Sequence, residues 1–170
     1  MTITVKQRIP PFTAERLEGI SKVLGDTNEG LTGSEIEHLL RNCKIPNPTP
    51  DMTKWKRLHN AFVSFQNEHQ VGNHVIVFIK RAMDPARYVG QPHIFRSRRD
   101  HLNSVLAFSG YTLSEDGQLR SANAARTISE ALERADRRSP ISIATGRGSF
   151  LEENFVGSSE AEARAGSVVK

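Results

Sequence analysis

At 170 residues the chain has the length of one domain, and its 37% hydrophobic and 25% charged residues make it polar for a globular protein without being disordered in type. No apolar run approaches the roughly 20 residues needed to cross a bilayer, and residues 1–10 hold no apolar stretch of the kind a secretion signal needs, so a cytoplasmic protein that does not engage a membrane is expected. Cys43 is the only cysteine and cannot staple a fold, which agrees with that expectation.

The first helix is predicted to begin at Thr13. Phe12 and Leu17 sit at the spacing of a hydrophobic staple, Leu17, Ile20 and Leu24 follow a helical stripe, and Gly25 is a natural stop. The second has the clearest start signal, a T-x-x-E capping box of Thr32 and Glu35, followed by Ile36, Leu39, Leu40 and Cys43 on one face. Three prolines within residues 45–50 require a loop. A third helix, over about 53–68, places Trp55, Leu58, Phe62 and Phe65 inward and leaves Lys54, Lys56 and Arg57 for water or a ligand. A fourth, near 73–83, carries Val75, Ile76, Ile79 and Met83, and Asp84-Pro85 breaks it. A fifth, near 92–109, carries Phe95, Leu102, Val105 and Leu106, and Gly110 ends it.

The pattern then changes. Tyr111-Thr112-Leu113 and Gln118-Leu119-Arg120 flank Asp116-Gly117, which reads as a two-stranded hairpin with a positive-φ turn. A sixth helix then puts Ala125, Ile128, Leu132 and Ala135 at core spacing, and Ser139-Pro140 closes it. The glycines beyond, in a polar Ala/Ser/Glu-containing stretch, read as a flexible tail, in which Ser149 to Glu152 caps at most one turn of helix. The expected fold is therefore mainly α: a domain over 1–138 of about six helices with one small hairpin at 111–120, winged-helix-like in part, and a flexible tail over 139–170.

Several strings together carry a resemblance. They are Gly30-Leu31-Thr32-Gly33-Ser34-Glu35-Ile36, Lys54-Trp55-Lys56-Arg57-Leu58, Met83-Asp84-Pro85-Ala86-Arg87-Tyr88-Val89, Leu102-Asn103 with Gly110-Tyr111 and Glu115-Asp116-Gly117, and Thr127 with Glu130-Ala131 and Arg134. In this order the chain resembles the N-terminal region of the bacterial Ymh-like family linked to abortive infection, over about 12–138. The resemblance implies a phage-defence setting. It also implies that full-length members continue into a helical HEPN-type domain, where an Arg and a downstream His form a metal-independent ribonuclease site. The stretch after Arg138 is too short for such a domain, so the resemblance implies a recognition module without its effector and offers no catalytic residue.

Net charge is +4 but uneven: residues 1–40 carry four Lys/Arg against six Asp/Glu, a net −2, and residues 41–101 carry eleven against four, a net +7. Two clusters make up that basic middle. Lys54, Lys56 and Arg57 stand beside Trp55, a pairing that suits phosphate with base stacking, although the same residues also describe a solvated helix face. Arg87, Arg96, Arg98 and Arg99, with His93 and His101, are the densest positive stretch, and a guanidinium grips phosphate bidentately. Arg120 would lie at the edge of a wing beside them. These eight cations, Lys54, Lys56, Arg57, Arg87, Arg96, Arg98, Arg99 and Arg120, are the expected nucleic-acid-binding residues, with DNA or RNA left open, unless acidic groups of the fold or of a partner take them up.

The expected function is a non-catalytic recognition or regulatory module that binds nucleic acid or a protein partner through this basic surface. One alternative is a ribonuclease, since Arg96 and His101 match the bare HEPN spacing and such a pair could orient a 2′-hydroxyl. Another is a module for protein contact or self-association alone. No metal is expected, because the six histidines lack paired ligand spacing and Cys43 has no partner. No cofactor is expected either, because no glycine-rich loop comes after a strand.

Overall fold

A computed structural model describes residues 7–136. The expected tail, the stop at Ser139-Pro140 and the turn near Ser149 lie outside the described residues. Six α-helices and one antiparallel hairpin make up the described fold: α1 (Ala14–Leu24), α2 (Gly33–Asn42), α3 (Lys54–His69), α4 (Asn73–Ala82), α5 (Pro92–Leu106), β1 (Tyr111–Leu113), β2 (Leu119–Ser121) and α6 (Ile128–Asp136). Short 3-10 turns lie at Pro85–Tyr88 and Ala107–Ser109. Among the described residues no helix is long and apolar enough to cross a membrane.

The helix starts agree with their local chemistry. Thr13 occupies the N-cap position of α1, and Phe12 and Leu17 are both buried at its staple positions. At α2 the Thr32 hydroxyl accepts from the Glu35 N–H at 3.2 Å while the Glu35 carboxylate accepts from the Thr32 N–H at 2.8 Å. Pro92 opens α5, where a missing N–H costs nothing. Gly25 ends α1 for a reason other than the left-handed conformation expected of a stop. Its φ is −100°, and a Cβ there would lie 2.6 Å from the Trp55 backbone. The glycine permits the close crossing of α1 and α3.

One continuous core joins the helices. Leu17, Ile20 and Leu24 of α1 meet Leu58 and Phe62 of α3, Phe78 and Ile79 of α4, and Leu102 and Leu106 of α5. Phe62 and Phe78 pack edge to face at 5.1 Å between ring centres. Two buried amides tie the segment before α1 and the hairpin to this core. Gln66 of α3 both donates to the Phe12 carbonyl and accepts from its N–H, each at 2.8 Å. Asn103 of α5 does the same for Leu113, at 2.9 and 2.7 Å. Each replaces one rung of a strand ladder, so these backbone groups keep their partners where the chain crosses the core.

The hairpin pairs Tyr111 with Ser121, Thr112 with Arg120 and Leu113 with Leu119. Gly117 takes φ 73°, as the Asp116-Gly117 turn requires. Leu113 and Leu119 are buried, and a Cβ on Gly117 would come within 2.7 Å of the Met83 carbonyl and 2.8 Å of Pro85. The tip is thus pressed onto the corner after α4.

The sixth helix departs from expectation. Ile128, Leu132 and Ala135 have core spacing, yet Ile128 is 72% exposed and Leu132 57% exposed. Only Ala131 turns fully inward, onto a small cluster with Ala107 and Ala125 beside Phe108. α6 docks on α5 through residues too small to hide the larger side chains next to them.

Candidate functional site

The eight expected cations do not form one open surface. Three are internal to the fold. Arg57 is 8% exposed, although its position off the apolar stripe predicts contact with water or a ligand. It spans from α3 to α2, donating to the Gly33 carbonyl at 3.2 Å and to the Glu37 carboxylate. Arg98 is 6% exposed; it donates to the Glu29 carbonyl and the Tyr88 hydroxyl, and its guanidinium lies 5.4 Å from the Tyr88 ring centre. Arg99 is 5% exposed and bonds Asp100 at 2.9 Å and Glu115 of the hairpin turn at 3.1 Å. Burial works against its charge, but those two carboxylates outweigh it and hold the group above its ordinary pKa.

The physical reason is spacing. Phe95, Arg98, Arg99, Leu102, Asn103 and Leu106 are all buried, and they occupy the i, i+3, i+4, i+7, i+8 and i+11 positions of a single inward face of α5. The arginines fill the turn of that face between Phe95 and Leu102. The signal was present in the sequence as a gap in the apolar stripe.

The remaining five are at the surface, most of them engaged. Lys54 donates to the carbonyls of Asp26 and Thr27, bracing the loop after α1. Arg87 pairs with Glu35 at 2.7 Å and Arg120 with Asp116 at 3.1 Å. The Glu35 carboxyl is driven upward by burial but more strongly downward by the Thr32 N–H and hydroxyl and by Arg87, so it stays below its ordinary value. Lys56 is exposed with its ammonium 5.6 Å from the Trp55 ring centre, and Lys22 of α1 stands 5.3 Å from the same centre. Trp55, which its place on the apolar stripe predicts to turn inward, is only half-buried and carries these two cations beside its ring. Arg96 is exposed and, among the described residues, bonds only the Pro92 carbonyl, at 3.4 Å.

Arg96 and His101 are not brought together. Five residues along a helix place them about 140° apart around the axis. His101 lines a polar pocket of about 500 Å³ with Lys22, Asp26, Glu29, Ser97 and Arg98, and Arg96 is outside it. The polar groups of that pocket largely satisfy one another: Asp26 caps the N–H groups of Asn28 and Glu29, and Ser97 donates to the Glu29 carboxylate at 2.6 Å. Among the described residues no three His, Cys, Asp or Glu side chains gather closely enough to hold a metal ion. Burial raises the Cys43 thiol pKa, with Arg81 opposing, which makes it a poor nucleophile.

A site that charge pattern did not indicate lies on another side of α5. Between α1 and α6 runs a groove of about 470 Å³. Val105, Phe108 and Ala131 form its apolar floor, and Ile128 and Leu132 stand along one lip. Gly19 of α1 lets the floor close up, since a Cβ there would meet Val105 at 3.0 Å. Glu15 and Arg16 mark the other lip. The helical period of α6 was legible, but the exposure of its stripe depends on how small the residues are that dock it. Compared with known proteins, the chain matches no family model, no curated protein and no solved structure.

Proposed function

We propose that the chain is a non-catalytic recognition module that works by protein–protein contact, with the groove between α1 and α6 as its contact surface. The carrying observation is the exposure of Ile128 and Leu132 along an apolar groove. Scattered apolar side chains are ordinary on a protein surface, but two large ones in register beside a concave apolar floor favour an occupant that brings its own apolar face. The resemblance to the Ymh-like family supplies the proposed setting, a bacterial defence system in which such a module would position an effector. The internal use of Arg57, Arg98 and Arg99 is what moves this reading ahead of one based on a basic surface.

A photo-crosslinking residue at position 132, introduced in a bacterial host, tests the proposal. A nuclease-resistant protein adduct, identified by mass spectrometry and lost when Ile128 is changed to Ser, is expected. No adduct, or one removed by nuclease, overturns it.

A second reading, phosphate binding, is favoured by Lys22 and Lys56 over Trp55 together with the open Arg96. It calls for a mobility shift that weakens steeply with salt and disappears in a Lys22→Ala/Lys56→Ala/Arg96→Ala variant.

A further inference from the structure

We infer that the small pocket at the start of α5, beside the Pro85–Tyr88 turn, binds an oxyanion, a phosphate or carboxylate group, with Arg98 as its anchor. It shares no residue with the α1–α6 groove and stands apart from the protein-contact reading. Its volume is about 260 Å³. Pockets for drug-sized ligands run from roughly 300 to 1,000 Å³, so a single anionic group is the size that suits it.

Three arginines are buried among the described residues, and the fold answers two of them with opposite charge. Arg57 has Glu37, and Arg99 has Asp100 and Glu115. Arg98 has no carboxylate within ion-pair distance among the described residues. Its partners are dipoles: the Glu29 carbonyl accepts from Nε and Nη2, and the Tyr88 hydroxyl accepts from Nη1. A guanidinium carries five N–H groups, and three of Arg98's are used in this way, which leaves two without a partner among the described residues. A buried charge without a counter-charge is costly, and a guanidinium, unlike an ammonium, cannot escape by losing its proton. An anion supplies both the missing charge and the missing acceptors.

Arg98 borders two polar pockets, and its tip belongs to the smaller. Nη1 meets Tyr88, which lines this pocket and not the one holding His101. Long side chains on a helix lean toward its N-terminus, which carries the guanidinium back toward Ile94 and Gln91 of the same pocket. Arg87 lines it too, with one nitrogen engaged by Glu35 and the rest of its fork unused among the described residues. The exposed Gln91 amide adds a further donor. Two carboxylates border the pocket, and neither answers Arg98. Glu35 is tied by Thr32 and Arg87, and the Glu29 carboxylate is held by Ser97, which lines the neighbouring pocket.

Calorimetric titration of the full chain with sodium phosphate, and separately with sodium acetate, tests this against sodium chloride of matched ionic strength. One saturable site per chain is expected, and the ion that binds tighter identifies the oxyanion. Gln91→Glu brings a carboxylate to the pocket from an exposed position; it should abolish binding without lowering the thermal midpoint. Arg98→Lys keeps the charge but loses the fork, and should weaken binding about tenfold. A Lys22→Ala/Lys56→Ala/Arg96→Ala variant changes no residue of this pocket and should bind like the wild type. Heats no larger than those of chloride for both ions, or binding that persists in Gln91→Glu, overturns the site. Binding lost in the triple variant and kept in Arg98→Lys would move the anion to Trp55 and also overturn it.

Discussion

The α5 face and α6 mislead in opposite directions. On α5 two arginines are carried into the interior, each bonded to acceptors there. On α6 two large aliphatic side chains are left in water beside a groove. Residue type alone would have reversed both placements. What decides them is the neighbourhood: Arg98 and Arg99 find a carbonyl, a phenol and two carboxylates at the end of a long side chain, and Ile128 and Leu132 flank a docking contact in which the buried residues are the small Ala107, Ala125 and Ala131. A buried cation survives where hydrogen bonds replace water, and a helix buries only as much as its docking surface is shaped to cover.

The largest expected effect breaks the α5 side of this contrast. Arg98→Ala removes donors to Glu29 and Tyr88 from the interior, and it should cost about 3 kcal/mol of stability in urea denaturation. A loss within about 0.5 kcal/mol, the range of ordinary surface changes, would return Arg98 to the surface. Asn103→Ala should cost about 2 kcal/mol, because both backbone groups of Leu113 lose their buried partner, and it should loosen the hairpin as read by amide exchange.

A smaller effect depends on pH. Burial holds the His74 pKa below its ordinary 6.5, with the Phe62 carbonyl opposing. The unfolded chain therefore takes up a proton near pH 6.5 that the folded chain refuses. The stability tied to this group is complete above that pH and declines as the pH falls toward the lower folded value. Thermal midpoints should drop across this window, and His74→Gln should flatten the drop. The carboxylates, whose ordinary values lie near 4, act at lower pH and leave the window clear. The smallest effect sharpens the α6 side: Leu132→Ser should change monomer stability by less than about 0.5 kcal/mol.

Much of the fold was legible because its signals are local. The capping box at Thr32 and Glu35, Pro92 at the start of α5 and the Asp116-Gly117 turn each need only a few neighbouring residues, and each stands where its chemistry requires. The arginine placements were harder because their partners are distant: Arg57 meets Glu37 twenty residues away, and Arg98 meets Glu29 sixty-nine away. Even so, the gap between Phe95 and Leu102 marked an inward turn of α5 that something long had to fill. The groove was not legible at all, since it is set by the approach of α1 and α6 across α5 and by the absence of a side chain at Gly19.

The Gln66 clamp on Phe12 has a consequence for synthesis. The two residues are 54 positions apart, so Gln66 leaves the ribosome roughly three to eleven seconds after Phe12 at ordinary elongation rates. During that interval α1 exists without α3, α4 or α5, and its apolar stripe has nothing to rest on. The N-terminal segment can be secured only once α3 is complete, which makes the emerging first helix the stretch a chaperone would hold.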